Sequence, residues 1–187
     1  MINLEELNDV YTISHLANND DLSTFVIENP KGIGLQYYLQ ENAKADEQLG
    51  IARTYLLKTK DTNEIVAYFT LRTGLITVSR GIFKGFDAIT GIELANFAVN
   101  DSYRTVNDCI PKLGTYIFKQ YIFPLVEEIS QYVGASLLYI YAIPENKLIE
   151  HYKTMGFKLT PSKMERYVYR HVKPFYDKNC KFMIQKI

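Results

Sequence analysis

Apolar and polar positions alternate along the chain in two periods, which predict short strands and helices in mixed order. Alternating or continuous apolar runs predict strands at residues 10–16, 53–58, 65–71, 92–99, 137–143, 166–170 and 180–187. Apolar residues at helical spacing predict helices at residues 22–27, 35–49, 110–133 and 144–156. The order β-α-α-β-β-β-α-β-α-β-β predicts a mixed sheet flanked by helices in one domain, residues 1–187, of the α+β or α/β kind.

Three local features refine this pattern. Residues Gly74 to Gly91 have no clean period and contain four glycines, so we expect a long connection there. The strand at 92–99 changes phase near Asn96, which indicates a kink or bulge. Pro124 lies inside the apolar stripe of the helix at 110–133 and is expected to bend it.

Composition narrows the function classes. The chain carries 21 basic and 21 acidic side chains, so its formal net charge is zero and strong nonspecific nucleic-acid binding is not expected. A local basic patch, or simply a solvated face, remains open in the last third of the chain: Lys158, Lys163, Arg166, Arg170, Lys173, Lys178 and Lys181.

Metal chemistry and membrane insertion are not expected. The 2 cysteines and 3 histidines show no metal-ligand spacing. The N-terminus has acids where a signal peptide has bases, and no stretch approaches the ~20 apolar residues of a membrane helix. We therefore expect a cytoplasmic, soluble protein without a metal cofactor.

The chemistry-bearing stretch runs from Gly91 to Gly156. It reads as strand, glycine-bearing helix start, buried strand, and a helix that ends in Gly156-Phe157. Such a β-α-β-α unit leaves the free N–H groups of a helix N-terminus beside a strand end, where an anion can bind.

The order of these elements resembles the GCN5-related N-acetyltransferase superfamily over nearly the whole chain. The Tyr-x-x-x-Gly-Phe motif that begins at Tyr152 and ends the helix resembles it as well. The resemblance implies an α/β/α sandwich with a mostly antiparallel central sheet, and acetyl-CoA as cosubstrate. It also implies that backbone groups of the fourth strand bind the pantetheine arm and that a helix-start loop binds the pyrophosphate. The implied cofactor residues are Phe97, Ala98, Val99, Lys112, Leu113, Gly114, Thr115 and Asn146.

The pyrophosphate loop departs from the family pattern, Gln/Arg-x-x-Gly-x-Gly/Ala. Here it reads Cys109-Ile-Pro-Lys-Leu-Gly114, so Cys109 replaces the Gln or Arg and Lys112 replaces the first Gly. Leu113 to Thr115 still supply backbone N–H groups, and Lys112 adds a positive charge beside the phosphates.

Two residues are candidates for acid–base catalysis. In the family, the tyrosine matched by Tyr152 protonates the departing CoA thiolate, and an acid at that point lowers the barrier to its expulsion. The alternative is that Tyr152 is a core residue of an amphipathic helix. An attacking amine must also lose a proton, and Glu93, near the start of the fourth strand, is the best candidate base, directly or through a water.

The N-terminal half resembles the branch of this superfamily that contains the aminoacyl-tRNA-acetylating toxins. The matching stretches are residues 35–39, Ala43, Asp46, 50–57 and 65–71. That branch implies charged tRNA as acceptor, a homodimer and a small DNA-binding antitoxin as partner.

Because the net charge is zero, the sequence places another acceptor first, a primary amine of a small molecule or peptide. Acetylation of aminoacyl-tRNA is the main alternative. A non-catalytic CoA-binding or regulatory module is the third reading, supported by the altered loop.

Overall fold

The computed structural model describes residues 10–79, 86–107, 112–171 and 180–187. The seven strands in this part of the chain are β1 Tyr11–His15, β2 Arg53–Thr59, β3 Ile65–Ser79, β4 Phe86–Val99, β5 Leu137–Ala142, β6 Lys158–Leu159 and β7 Lys181–Lys186. They form one sheet in the order β1-β2-β3-β4-β5-β7-β6. The pair β4/β5 is parallel, whereas β1/β2, β2/β3, β5/β7 and β6/β7 are antiparallel. This confirms the predicted mixed, mostly antiparallel α+β architecture.

Helices occupy most of the connections. The α-helical segments are α1 Ile33–Tyr37, α2 Ala43–Gln48, α3 Asp101–Val106, α4 Leu113–Ile117, α5 Phe123–Val133, α6 Asn146–Thr154 and α7 Ser162–His171. Two π-helical segments complete longer helical runs: Tyr38–Asn42 joins α1 to α2, and Phe118–Ile122 joins α4 to α5. The second π-helical segment ends two residues before Pro124, and a regular α-helix there would place the proline ring against a carbonyl.

Residue contacts group the chain into two compact units. The first is formed by Met1–Arg72 and Ala95–Ile122, the second by Thr73–Leu94 and Phe123–Ile187. A core cluster of the first unit contains Phe25, Leu39, Leu56 and Tyr68. A core cluster of the second contains Ile76, Leu137, Tyr139, Val168 and Phe182. A single domain over residues 1–187 stays a prediction.

The helix predicted at residues 22–27 is wrong. Side chains from other segments accept hydrogen bonds from the backbone N–H groups of this segment. Asn100 Oδ1 accepts from Val26 N at 3.1 Å, and Gln36 Oε1 accepts from Ile27 N at 2.9 Å. Asp21 accepts from the backbone N–H of Ser23 at 2.9 Å in a local turn. These bonds replace the helical ladder that the apolar spacing favours.

The long connection predicted between Gly74 and Gly91 is also wrong. β3 continues to Ser79 and β4 begins at Phe86. A Cβ atom at Gly74 would collide with the Tyr139 hydroxyl, and one at Gly91 would lie 2.9 Å from the Leu137 carbonyl oxygen. Both glycines therefore mark close approaches inside strands rather than a loop.

The strand predicted at residues 166–170 is wrong as well, because these residues lie in α7. Aromatic and β-branched residues favour a strand locally. However, Val168 is fully buried in the core cluster, with Met164 one helical turn before it packed against the same cluster. The helical i, i+4 spacing of this apolar pair outweighs local propensity. α3 and β6 were not predicted.

Candidate active site

The helix that carries Tyr152 ends in a Schellman cap. The N–H of Phe157 donates to the Tyr152 carbonyl at 3.1 Å, and the N–H of Gly156 donates to the Lys153 carbonyl at 3.0 Å. These are the 6→1 and 5→2 bonds of the motif, which satisfy carbonyls left without partners at a helix end. The Tyr-x-x-x-Gly-Phe spacing thus has a structural cause that is independent of any family.

The backbone conformation of Gly156 is what favours glycine in this cap. Its φ is +104°, a conformation that residues with a Cβ atom rarely adopt. A Cβ atom there would also lie 2.8 Å from Nε2 of Gln185 on β7. The cap of α6 therefore packs closely against β7.

Aromatic packing rather than hydrogen bonding fixes the side chain of Tyr152. Its ring meets the ring of Phe157 edge to face, with centroids 5.7 Å apart and an interplanar angle of 81°. Phe157 is only 2% exposed. This is the hydrophobic contact that accompanies a Schellman cap, and edge-to-face packing is the favoured geometry of aromatic pairs.

The hydroxyl of Tyr152 is protonated and available. No hydrogen bond to the described residues engages it. Burial raises the pKa of the Tyr152 hydroxyl to about 12, because desolvation disfavours the phenolate. At neutral pH the group is a proton donor.

Glu93, the other candidate for acid–base chemistry, lies in β4 opposite Tyr139 of β5. It is 6% exposed, which is unusual for a carboxylate in a strand. Asn146 is the first residue of α6 and is exposed. The structure therefore places Tyr152, Glu93 and Asn146 in the second unit.

The predicted pantetheine strand lies in the first unit. The ladder between β4 and β5 covers Gly91, Ile92 and Glu93, so Phe97, Ala98 and Val99 lie outside it. Ala98 is packed in the first unit's core cluster, whereas Phe97 and Val99 are half-buried.

A buried asparagine fixes the end of this strand. Asn100 is 1% exposed, and its Nδ2 donates to the Ile65 carbonyl at 2.9 Å. Its Oδ1 accepts from the N–H groups of Val26 and Ser102. Sequence reasoning missed this residue, although an Asn before a helix start is a recognisable cap.

The predicted pyrophosphate loop contains a strained lysine. Lys112 adopts a left-handed conformation, with φ 58° and ψ 35°, at the position where the family pattern has its first Gly. The first helical bond runs from the N–H of Tyr116 to the Lys112 carbonyl at 3.1 Å. The N–H groups of Leu113, Gly114 and Thr115 therefore have no intrahelical acceptor. Cys109 lies outside the described residues.

Thr115 adds a second donor without a partner. Its hydroxyl oxygen is buried and has no hydrogen-bond partner among the described residues. Buried polar groups are normally paired, so an unpaired hydroxyl at a helix start indicates a missing ligand or water. The donor set fits an anionic pyrophosphate: three backbone N–H groups, one hydroxyl and the exposed ammonium of Lys112.

Two polar clusters of the first unit were not predicted as clusters. Tyr11 and Tyr103 share a buried hydroxyl–hydroxyl bond of 2.9 Å beside Tyr116, whose pKa burial raises. Separately, Asp46 accepts from the Tyr38 hydroxyl at 2.9 Å and from Arg72 at 2.8 Å. The high tyrosine content was the only signal for the first cluster, and nothing in the spacing joins Arg72 to Asp46.

The described residues contain no group of three or more His, Cys, Asp or Glu side chains that could hold a metal ion. None of their helices is long and apolar enough to cross a membrane.

Solved toxin structures are similar to this chain. A tyrosine-to-phenylalanine mutant of KacT covers 95% of this chain and 95% of its own, with a TM-score of 0.66 and 18% identity. AtaT complexed with acetyl-methionyl-tRNAfMet covers 92% of this chain and 93% of its own, with a TM-score of 0.64 and 18% identity. The AtaTR complex bound with AcCoA covers 95% and 94%, with a TM-score of 0.66 and 18% identity.

Sequence comparison alone gives less. No protein-family model matches the chain, and no curated protein matches it. The agreement with the solved structures extends over nearly the full length of both chains. The chain therefore has the GCN5-related N-acetyltransferase fold, in the form solved for the toxins KacT and AtaT.

Proposed function

We propose that the chain is an acetyl-CoA-dependent N-acetyltransferase whose acceptor is the amino group of aminoacyl-tRNA. The observation that carries the enzymatic part is the protonated hydroxyl of Tyr152, which no described residue engages and which a helix cap and a buried ring hold in place. A purely structural tyrosine of such a helix would normally bury its hydroxyl against a partner.

The choice of acceptor rests on the comparisons. The sequence places a small-molecule or peptide amine first and charged tRNA second. One similar structure is AtaT with acetyl-methionyl-tRNAfMet, which favours the second acceptor. Net charge does not exclude it, because a local basic surface can bind RNA on a neutral protein.

The cosubstrate would be held by groups that have no partner among the described residues. The N–H groups of Leu113, Gly114 and Thr115, the Thr115 hydroxyl and Lys112 would bind the pyrophosphate. Backbone groups of Phe97, Ala98 and Val99 would bind the pantetheine arm, and Asn146 would complete the cofactor contacts. Acetyl-CoA, when bound, supplies the acetyl group as a thioester.

Two side chains would move protons in this reaction. The Glu93 carboxylate would take a proton from the acceptor ammonium, so that the neutral amine can attack. The Tyr152 hydroxyl would donate to the sulfur as negative charge develops there, which lowers the barrier to thiolate departure. The second proton of the attacking nitrogen, lost as the amide forms, would restore the phenol of Tyr152. Its raised pKa keeps this donor protonated over the whole physiological range.

A partner protein is part of the proposal. AtaT has been solved bound to the C-terminus of the antitoxin AtaR, and KacTA has been solved as a complex with DNA. We infer that this chain also has an antitoxin partner and forms a homodimer. Co-purification of the chain with the product of a neighbouring reading frame, and its mass in solution, test the two statements separately.

The acceptor is tested by offering each candidate class separately. Purified chain is incubated with radiolabelled acetyl-CoA and either bulk aminoacylated tRNA, the same tRNA after deacylation, or a mixture of polyamines and lysine peptides. We expect label only in the aminoacylated tRNA. Label in the amine mixture alone would establish the other acceptor class, and no label in any sample would contradict acetyl transfer.

Glu93 is tested by removing its carboxylate. Glu93→Gln lacks the proposed base, so kcat near neutral pH is expected to fall about 100-fold or more. The measurement is the kcat of wild type and variant with aminoacylated tRNA at neutral pH. An unchanged kcat would remove Glu93 from the mechanism.

A further inference from the structure

The exposed face of α7 carries three cations in one stripe. Lys163, Arg166 and Arg170 are all exposed, at spacing i, i+3 and i+7. At about 100° per residue they lie on one side of the helix, and a rise of ~1.5 Å per residue spreads them over about 10 Å. We call these three residues the α7 stripe.

No acid neutralises this stripe within the described residues. Glu165, the one acidic residue of α7, has an oxygen 3.8 Å from Lys181 Nζ of β7 and accepts from the Phe182 N–H at 3.4 Å. No ion pair joins a member of the α7 stripe to any described residue. The stripe therefore presents three positive charges on a protein whose formal net charge is zero.

The opposite face holds α7 firmly in place. Val168 is fully buried in the second unit's core cluster with Ile76, Tyr139 and Phe182, and Met164 packs against that cluster. The stripe is thus presented on a packed element rather than on a loose tail, which lowers the entropy lost when a ligand binds. The half-buried Tyr167 lies beside the stripe on the helix surface.

We propose that the α7 stripe binds the phosphate backbone of the tRNA acceptor. This inference rests on the proposed function. Unpaired cations at this spacing match a polyanion with closely spaced phosphates, and their contacts carry no base sequence information. An acidic protein segment is the competing occupant, but it would not make tRNA kinetics depend on these residues.

The test is a charge-neutralising triple variant, Lys163→Gln, Arg166→Gln and Arg170→Gln. Its matched control removes the same charge from three exposed lysines of the first unit, as Lys31→Gln, Lys60→Gln and Lys119→Gln. For both variants and wild type, kcat and KM for bulk aminoacylated tRNA are measured at several NaCl concentrations. The KM for acetyl-CoA and the melting temperature are measured alongside.

We expect the α7 variant to raise the tRNA KM at least about tenfold near 0.1 M salt. Its slope of log(kcat/KM) against log[NaCl] should become shallower by roughly 2 to 3, which is about 0.7 to 0.9 for each lost phosphate contact. Its kcat, acetyl-CoA KM and melting temperature should stay near wild type, and the control variant should keep the wild-type slope.

Two results would overturn the inference. An unchanged salt slope in the α7 variant would show that the stripe makes no phosphate contact. An equal change in the control variant would show that only the total charge matters. If the wild type acetylates no tRNA, the proposed function fails. In that case the affinity of each protein for deacylated bulk tRNA, measured by fluorescence anisotropy with the same salt series, still decides whether the stripe binds RNA.

Discussion

At the scale of single residues, Tyr152 combines the properties that a proton donor at a leaving thiol requires. Its ring is held by the buried ring of Phe157, and its backbone carbonyl is held by the Phe157 N–H. Its hydroxyl stays protonated, because burial raises its pKa to about 12. Orientation therefore does not depend on a hydrogen bond that catalysis would have to break.

The first prediction concerns Phe157 as a positioning residue. Phe157→Leu keeps an apolar side chain under Tyr152 but removes the edge-to-face contact, which is worth about 0.5 to 1.5 kcal/mol. We expect kcat to fall about 3- to 10-fold with the acetyl-CoA KM unchanged. The measurement is a double-mutant cycle with Tyr152→Phe, in which the effect of Phe157→Leu should largely disappear.

A matched control separates positioning from loss of core packing. Phe182→Leu removes another fully buried phenylalanine of the same unit that has no ring contact with Tyr152. It should lower the melting temperature by a similar amount and leave kcat within about twofold of wild type. If Phe157→Leu has the same effect in both Tyr152 backgrounds, Phe157 does not position the tyrosine.

A second residue-scale prediction follows from the raised pKa. The unfolded tyrosine loses its proton near pH 10, whereas the folded one keeps it to about pH 12. The neutral Tyr152 therefore contributes its full share of stability below pH 10, and this share is lost as pH rises from 10 to 12.

Tyr152→Phe removes this titration. Between pH 9 and pH 12, urea unfolding should show a smaller loss of unfolding free energy for the variant than for wild type, by up to about 2 kcal/mol. Parallel curves for the two proteins would mean that the hydroxyl of Tyr152 is not desolvated in the folded state.

At the scale of elements, the sequence predicted those with a strong period and failed where tertiary contacts decided. The apolar run at 137–143 and the stripe ending at Gly134 correspond to β5 and to α4 through α5. Gly74 and Gly91 were instead interpreted as loop residues. The groups that exclude a Cβ atom at these positions, the Tyr139 ring and the Leu137 carbonyl, lie far along the chain, so the local sequence does not reveal them.

The site shows the same division. Tyr152, Gly156 and Phe157 were recognisable through the family resemblance, because the Tyr-x-x-x-Gly-Phe ending is local and has the fixed spacing of a helix cap. The hydroxyl of Thr115, which has no partner among the described residues, was not recognisable, because burial of one oxygen depends on packing that the sequence does not display. The α7 stripe was only partly recognisable: Lys163, Arg166 and Arg170 were named as members of a possible basic patch, but Arg166 and Arg170 were predicted to lie in a strand. Only a helix places all three on one face.

The element-scale prediction concerns the start of α4. Lys112 adopts a left-handed backbone conformation, which costs a residue with a Cβ atom about 1 kcal/mol. Gly adopts the same conformation without this strain. Lys112→Gly should therefore keep or raise the melting temperature of the free protein, and yet raise the acetyl-CoA KM several-fold because a charge beside the phosphates is lost. Lys112→Asn, which tolerates this conformation, is the matched control and should weaken acetyl-CoA in the same way.

Thermal shift supplies the measurement. Acetyl-CoA at about 100 times its Kd stabilises the wild type by roughly 2.7 kcal/mol, which corresponds to a shift of several degrees. Both Lys112 variants should show smaller shifts at the same concentration. If both variants show the same melting-temperature shift as wild type, the pyrophosphate does not bind beside Lys112. If wild type shows no shift with acetyl-CoA, a non-catalytic module becomes the favoured hypothesis.

At the scale of the whole molecule, a balanced net charge coexists with a local basic face. The 21 basic and 21 acidic residues cancel overall, but on α7 the single acid faces β7 and the cations face outward. A net charge of zero argued against an RNA substrate. That argument fails here, because the charges are distributed unevenly and leave a local basic face. The full-length similarity to AtaT and KacT concerns the fold.

The most direct measurement of the central claim is the mass of the aminoacyl group on tRNA. Bulk aminoacylated tRNA is incubated with acetyl-CoA and the enzyme, digested with nuclease, and its 3′ aminoacyl-adenosines are analysed by mass spectrometry. We expect wild type to add one acetyl group to at least one of them, and Tyr152→Phe to do so about 10² to 10⁴ times more slowly. Unmodified aminoacyl-adenosines with wild type would contradict the proposed function, and equal rates for the two proteins would contradict the role of Tyr152 as proton donor.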